Sequence, residues 1–195
     1  MNICLKEIIA HHTCEARGSS EEVLEKAPFK SEVRDEYFPF LGEGYYFWDN
    51  NLELAKKWGE KRYRNFYYVV EFILVIDENK ILDLVGNRED ILWLKKIKKQ
   101  IEQRLNESFR YLKEKFNLNE MPDLTMGVII ELLKYIIPDF SEKIYAIKAI
   151  DLSRTYDKLY FRLDKEFLSL NPKIFYCFPL WKDEFAKSKK IIVNK

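Results

Sequence analysis

Two short segments of this chain combine residue types that could hold and orient a small planar ligand. Near the start, Ala10-His11-His12-Thr13 carries the chain's two histidines side by side. Further on, Phe40-Leu41-Gly42-Glu43-Gly44-Tyr45-Tyr46-Phe47-Trp48-Asp49 sets Gly-x-Gly directly before a run of aromatics. The glycines let the backbone turn, or approach a ligand where a Cβ would clash. The aromatics supply flat apolar surface on which a heterocycle can stack. In a strand, successive side chains point to opposite faces. Tyr46 and Trp48 then share one face and Tyr45 and Phe47 the other, and the same alternation separates His11 from His12. Without a ligand the same rings would pack as core, a reading that stays open beside the binding one.

Other chemistries fit less well. Adjacent histidines diverge on a strand, and no carboxylate or cysteine cluster accompanies them to complete a tetrahedral metal site. Gly42-Glu43-Gly44 lacks both the Lys-Ser/Thr of a phosphate loop and the third glycine of a dinucleotide fingerprint. Cys14 could pair with a histidine as a nucleophile, but a buried, inert thiol is the preferred reading. Cys4, Cys14 and Cys177 form no metal-ligand spacing and cannot all pair, which favours a reducing compartment.

The two segments together resemble the nicotinamide-binding signature of the ADP-ribosyltransferases, in particular the His–Tyr–Glu branch that includes the poly(ADP-ribose) polymerases and diphtheria-type toxins. In that family a first strand ends in His-Gly-Thr or His-Gly-Ser. The matching residues are His11, His12 and Thr13, with histidine where the family prefers glycine. Gly42, Gly44, Tyr46 and Phe47 match the family's Gly-x-Gly-x-Tyr-Phe in register, and Ala55 falls nine positions after Tyr46, as in the polymerase-like pattern. The resemblance implies NAD as substrate. Tyr46 would stack on the nicotinamide, His11 and Thr13 would hold ribose and amide, and His12, Gly44, Tyr45 and Phe47 would complete the binding set. It also implies a glutamate on a late strand to orient the ribose for attack at C1′. In register that position is Phe175, with Glu166 and Glu131 as substitutes; Glu166 joins His11 and Tyr46 as the catalytic set. The function implied is an NAD-dependent ADP-ribosyltransferase, a bacterial or phage toxin or effector. It would modify a protein or nucleic-acid acceptor and be held by an antitoxin or immunity partner. The alternative is a catalytically degenerate NAD- or ADP-ribose-binding or protein-interaction module.

The elements that must present these residues can be read from local pattern. Residues 8–11 read as a strand. Ser19 with Glu22 forms a capping box opening a helix to about residue 27, where Pro28 stops it. Residues 45–48 form an aromatic strand, and Asn50 caps a helix to about residue 62 with Leu54, Ala55 and Trp58 on one face. Residues 66–76 are a long apolar strand turned by 77–80 into a hairpin partner at 81–84. Ile91, Leu94, Ile97, Ile101, Leu105, Leu112 and Phe116 then repeat at helical spacing, the pattern of one long amphipathic helix. A linker at 117–123 precedes a helix at 125–137 ended by Pro138, and strands are expected at 144–150, 159–163, 174–178 and 191–193.

Strands at both ends around a helical block give an α+β architecture with a mainly antiparallel sheet. This agrees with the resemblance, which implies a split antiparallel β-sandwich with an inserted helical block over residues 88–137 of a single domain spanning 1–195. A chain of this length with 47% hydrophobic and 15% aromatic residues can fill a sizeable core. The first residues lack the basic start and apolar run of a signal peptide, and Glu71 interrupts the longest apolar run, far too short to cross a bilayer. A cytoplasmic protein without membrane association is expected. The net charge of +1 hides an acidic excess before Glu60 and a basic excess after it. The basic segments at 56–64 and 88–115 are either solvated helix faces or a surface for a polyanion.

Overall fold

The computed structural model describes residues 3–34, 36–64, 66–103, 105–151, 158–161, 166–169 and 172–195, with only the backbone at 105–106, 158–161 and 166–169. The architecture is mixed α+β, with six α-helices among the described residues. Strand β1 (Leu5–Glu15) leads into helix α1 (Ser20–Lys26). The Ser19 side chain accepts from Glu22 N–H while the Glu22 side chain accepts from Ser19 N–H, the reciprocal cap expected from the sequence. After the two-residue strand β2 (Lys30–Ser31) come β3 (Gly44–Asp49), helix α2 (Leu52–Tyr63) and the long strand β4 (Tyr67–Asp77).

A short β5 (Ile81–Asp83) precedes helices α3 (Arg88–Gln103), α4 (Leu105–Phe116) and α5 (Met126–Ile136). Helix α6 (Phe140–Lys143), β6 (Ala146–Asp151), β7 (Lys158–Phe161), β8 (Glu166–Ser169), β9 (Lys173–Phe178) and β10 (Ala186–Asn194) complete the order. No helix among the described residues is long and apolar enough to cross a membrane.

An open eight-stranded sheet runs β10-β4-β1-β3-β9-β6-β5, with β2 added beside β3; β7 and β8 form a separate pair. All pairings in the large sheet are antiparallel except β5 with β6. Strands β1 and β4 pair continuously from Leu5↔Asp77 to Glu15↔Tyr67. By contrast, β1 and β3 share only Ala10↔Asp49 and His11↔Trp48 before they part. Beyond the parting, β2 takes up β3, with Lys30 opposite Tyr45 and Ser31 opposite Gly44. The sheet therefore forks at His12.

Apolar residues fill both faces. On one, Ala10, Phe47, Phe72 and Phe178 pack with Val23 of α1 and with Phe185. On the other, Ile147, Phe175 and Cys177 meet Leu94, Ile101, Leu112, Ile130 and Leu133 of the three helices. Helix α2 makes a smaller cluster of Ala55 over Tyr67 and Val69.

Several expectations are corrected. The 81–84 segment is not a hairpin partner of the strand before it. Both edges of β4 are already taken, by β1 and β10, and β5 pairs in parallel with β6 at the far edge instead. The apolar repeat from Ile91 to Phe116 is helical over the described residues on both sides of residue 104, as α3 and α4. The cap of α2 is Asn51, whose side chain accepts from Leu54 N–H, while Asn50 takes a positive φ of 42°. Trp58 is 43% exposed and does not share the buried face of Leu54 and Ala55.

Phe47 sits among Phe72, Phe178, Trp181 and His12 at ring separations of 5.1–5.5 Å. Phe47→Ala should cost about 3–5 kcal/mol through lost burial and the cavity left behind. The half-buried Tyr45 should cost clearly less on the same substitution. Urea unfolding of the two variants measures the difference.

Candidate functional site

Register gathers the sequence-predicted residues onto two different faces. Because directly opposed residues of adjacent strands share a face, Glu71 on β4, His11 on β1, Trp48 on β3 and Phe175 on β9 form one row across the sheet. Thr13 and Tyr46 lie on that same face by the two-residue period of their strands. His12, Tyr45 and Phe47 lie on the opposite face, and all three are in the packing around Phe29, Trp181 and Phe178. The predicted binding set therefore cannot line one pocket. Only His11, Thr13 and Tyr46 of it share this face, with Gly44 on it two residues before Tyr46.

Phe175 is the hub of an aromatic surface. Its ring lies 5.7 Å from Trp48, 6.0 Å from Tyr46 and 5.5 Å from Phe40. Trp58 extends the surface from Trp48 at 6.4 Å. Phe40 and Trp58, at its margins, are exposed. Phe175 itself is apolar and almost fully buried.

His11 is buried, with Nε2 3.4 Å from Glu71 Oε2. Burial holds the imidazole below its ordinary value, with Glu71 pulling the other way, so the ring is neutral at pH 7. A neutral imidazole carries one proton. Glu71 is an acceptor, fixed in its ionised form chiefly by the hydrogen bond from Lys190. The proton accordingly belongs on Nε2, which leaves Nδ1 as a lone-pair acceptor. That atom is buried and has no partner among the described residues. Beside it, the Thr13 hydroxyl donates to the Ala55 carbonyl at 2.9 Å and ties α2 to β1.

His12 has a different task. Phe29 N–H donates to Nε2 at 3.0 Å, so Nδ1–H donates to the Tyr46 carbonyl at 2.9 Å. Both ring nitrogens are occupied by backbone. Burial pushes this imidazole down to about 4. The His12 side chain therefore fills the fork between strands.

The Gly-x-Gly turn is held from the helical side. Glu131 on α5, fully buried, accepts from Glu43 N–H at 2.7 Å, from Lys134 at 2.6 Å and from Lys115 at 2.8 Å. Lys134 also donates to the Glu43 carbonyl at 2.6 Å. Gly42 has φ +73° and a Cβ there would strike Glu131, while a Cβ on Gly44 would lie 2.6 Å from Cys177 Sγ and from the Phe178 carbonyl. Both glycines are therefore required. The Tyr46 hydroxyl donates to the Gly42 carbonyl at 2.7 Å and accepts from Leu41 N–H at 2.8 Å, and burial raises its pKa well above the ordinary value.

Burial opposes ionisation of Glu131, but the Lys134 charge and the hydrogen bonds from both lysines outweigh it, and its carboxyl titrates below the ordinary range. With both oxygens engaged, Glu131 is a clamp on the turn and has no oxygen spare for a ribose. Glu166, the other substitute, opens β8, and its side chain lies outside the described residues. Cys14 and Cys177 are buried and burial pushes both thiols up to about 12, which removes them as nucleophiles.

Sequence reading passed over Glu71, Lys115 and Lys134. A signal existed for the first, since Glu71 is the charged residue interrupting the apolar run of β4. The lysines carried none, lying among many on helices.

Two acid-dependent effects follow. His12 has a folded value of about 4 against an ordinary 6.5, so between these the unfolded chain binds more protons. Its contribution is complete above pH 6.5 and is lost as pH falls toward 4, about 3 kcal/mol in all. In His12→Phe, the stability deficit measured by urea unfolding at pH 7 should shrink by that amount at pH 4. Glu131→Gln removes the charge that satisfies two lysines. It should cost about 2 kcal/mol at neutral pH, below the roughly 3–5 kcal/mol for a fully buried pair because Lys115 reaches solvent. The depressed carboxyl makes that contribution present above its ordinary value of 4.5 and lost as pH falls below it, so the gap between Glu131→Gln and the parent should close in acid.

Comparison of the chain with known protein families, with curated proteins and with solved structures finds no match.

Proposed function

We propose that this protein holds NAD against the face carrying His11, Thr13, Tyr46 and Trp48, and acts as an ADP-ribosyltransferase-like protein on a macromolecular acceptor. The observation that carries the reading is the antiparallel adjacency of the two motif strands, with His11 directly opposite Trp48 and the strands parting immediately beyond. A fork at that point is what a split β-sandwich needs in order to open a cleft between its halves. The aromatic surface around Phe175 offers a plane for the nicotinamide. The lone pair of His11 Nδ1, buried and unsatisfied among the described residues, suits a ribose hydroxyl as donor. A toxin or effector role, an antitoxin or immunity partner and a cytoplasmic setting extend the same reading.

Loss of nicotinamide would leave an oxocarbenium-like ribose, so charge at C1′ must be offset by the protein. Tyr46 and Trp48 would fix the ring and His11 the sugar, and positioning of this kind by itself accelerates attack. One observation favours a second reading, a binding module without turnover: Phe175 stands in the row where the resemblance calls for a carboxylate, and Glu131 is engaged elsewhere. Absence of a preorganised electrostatic contact costs about 10²–10³ in rate, which is consistent with weak hydrolysis at most.

Thermal shift with NAD, together with assay of free nicotinamide, separates the two. Stabilisation with nicotinamide release fits the transferase, stabilisation without release fits the module, and the absence of both effects rejects both readings. Tyr46→Ala should weaken NAD binding by about 1 kcal/mol, and Tyr45→Ala, on the other face, should weaken it less. Tyr46→Phe keeps the ring but loses the hydroxyl that holds Leu41 N–H and the Gly42 carbonyl, so it should bind more weakly than the parent and more tightly than Tyr46→Ala. Phe175→Glu should raise nicotinamide release. An NAD affinity unchanged in Tyr46→Ala, measured by calorimetry, rejects this placement of the site.

A further inference from the structure

The segment ahead of the Gly-x-Gly turn and the linker ahead of α5 enclose an open cleft of about 400 Å³. That lies within the roughly 300–1,000 Å³ of sites that take up a ligand. Its two walls are joined where Asn119 N–H donates to Glu36 Oε1 at 3.0 Å. Two features of the lining stand out together. Tyr37, Phe40 and Met121 leave 71%, 39% and 45% of their surface exposed around it. Between them stand the carboxylates of Glu36, Glu120 and Asp123, and no lysine, arginine or histidine lines the cleft among the described residues. None of these three carboxylates makes an ion pair within the described residues. Elsewhere on this chain, exposed acids such as Glu53, Glu78 and Glu102 are paired with lysines. Helix α5 begins at this cleft and brings a partial positive charge of about half a unit. Thr125 already caps Val128 N–H there, and three carboxylates outweigh that charge.

Exposed aromatic rings interleaved with carboxylates that make no ion pair among the described residues match one chemistry closely. An arginine or lysine side chain can lay its cationic head over a tyrosine or phenylalanine face, place its stem on apolar surface, and meet a carboxylate at its tip. A polyanion would meet repulsion from the same three groups.

We propose that this cleft docks a basic segment of a protein partner, with a cationic side chain seated between Tyr37, Phe40 and the carboxylates of Glu120 and Asp123. The inference does not depend on NAD binding. It does place the partner beside the aromatic face, because Phe40 packs against Phe175.

The test is fluorescence anisotropy with the full chain and a fluorescein-labelled peptide of alternating arginine and leucine. The same peptide with glutamate in place of arginine is the control. The arginine peptide should bind and weaken as salt rises, and the glutamate peptide should not bind. The double variant Glu120→Lys/Asp123→Lys, at exposed positions, should lose about tenfold or more in affinity. Tyr37→Ser should weaken binding with every charge kept. Glu25→Lys, exposed on α1 at the opposite face of the sheet, should leave it unchanged. The proposal is overturned if the arginine peptide fails to bind or if the glutamate peptide binds as well. It is equally overturned if Glu25→Lys weakens binding as much as the double variant.

Discussion

Where β1 parts from β3, the ladder that would pair the Tyr46 carbonyl with a neighbouring strand is replaced by the ring of His12, which also accepts from Phe29 N–H. Much of the molecule hangs on this imidazole. It lets the strands diverge without leaving two buried backbone groups unpaired, each of which would cost about 1–3 kcal/mol. It opens the edge of β3 for β2 and brings the Phe29 segment, and with it α1, against the sheet. The arrangement demands a neutral ring with one donor and one acceptor, which lysine, arginine and a charged histidine cannot supply. Glycine at this position would leave the fork empty.

A second constraint acts from the helical side. A carboxylate taken wholly out of water is costly unless its charge is matched and its oxygens are satisfied. Glu131 meets both conditions through Lys115, Lys134 and the Glu43 amide. The conformation of the Gly-x-Gly turn is therefore decided by a helix far along the chain. Lys30 and Val33 N–H hold the Glu43 side chain from the other direction. The turn and the Tyr46 hydroxyl tied to it behave as one fixed unit, and the aromatic surface rests on it.

The row from Glu71 through His11 and Trp48 to Phe175 sets how charge is distributed on the proposed binding face. Strands lie about 4.8 Å apart, so the carboxylate is roughly 10 Å along the sheet from Trp48, with His11 between them. Under the proposed reading, Glu71 acts as a positioning residue that fixes the tautomer of His11, and the aromatic end of the row stays apolar. The acidic cleft beyond Phe40 supplies negative charge at the opposite end of the same surface.

What the sequence determined by itself was local. Ser19 with Glu22 announced the start of α1 because a cap is closed within three or four residues. The alternation of Tyr45, Tyr46, Phe47 and Trp48 onto two faces follows from strand geometry, as does the separation of His11 from His12. Only the tertiary structure decided what those faces meet. It paired β5 with β6 rather than β4 because both edges of β4 were taken. It gave His12 to the backbone and left His11 Nδ1 unsatisfied among the described residues, though the two are adjacent and chemically identical. It turned Glu131 from a candidate for chemistry into a clamp, and raised Glu71 from an interruption in an apolar strand to the partner of a histidine. The physical reason is common to all of these. Caps and periodicity are settled by neighbours along the chain, whereas the worth of a buried polar group depends on partners that folding brings from far away in sequence.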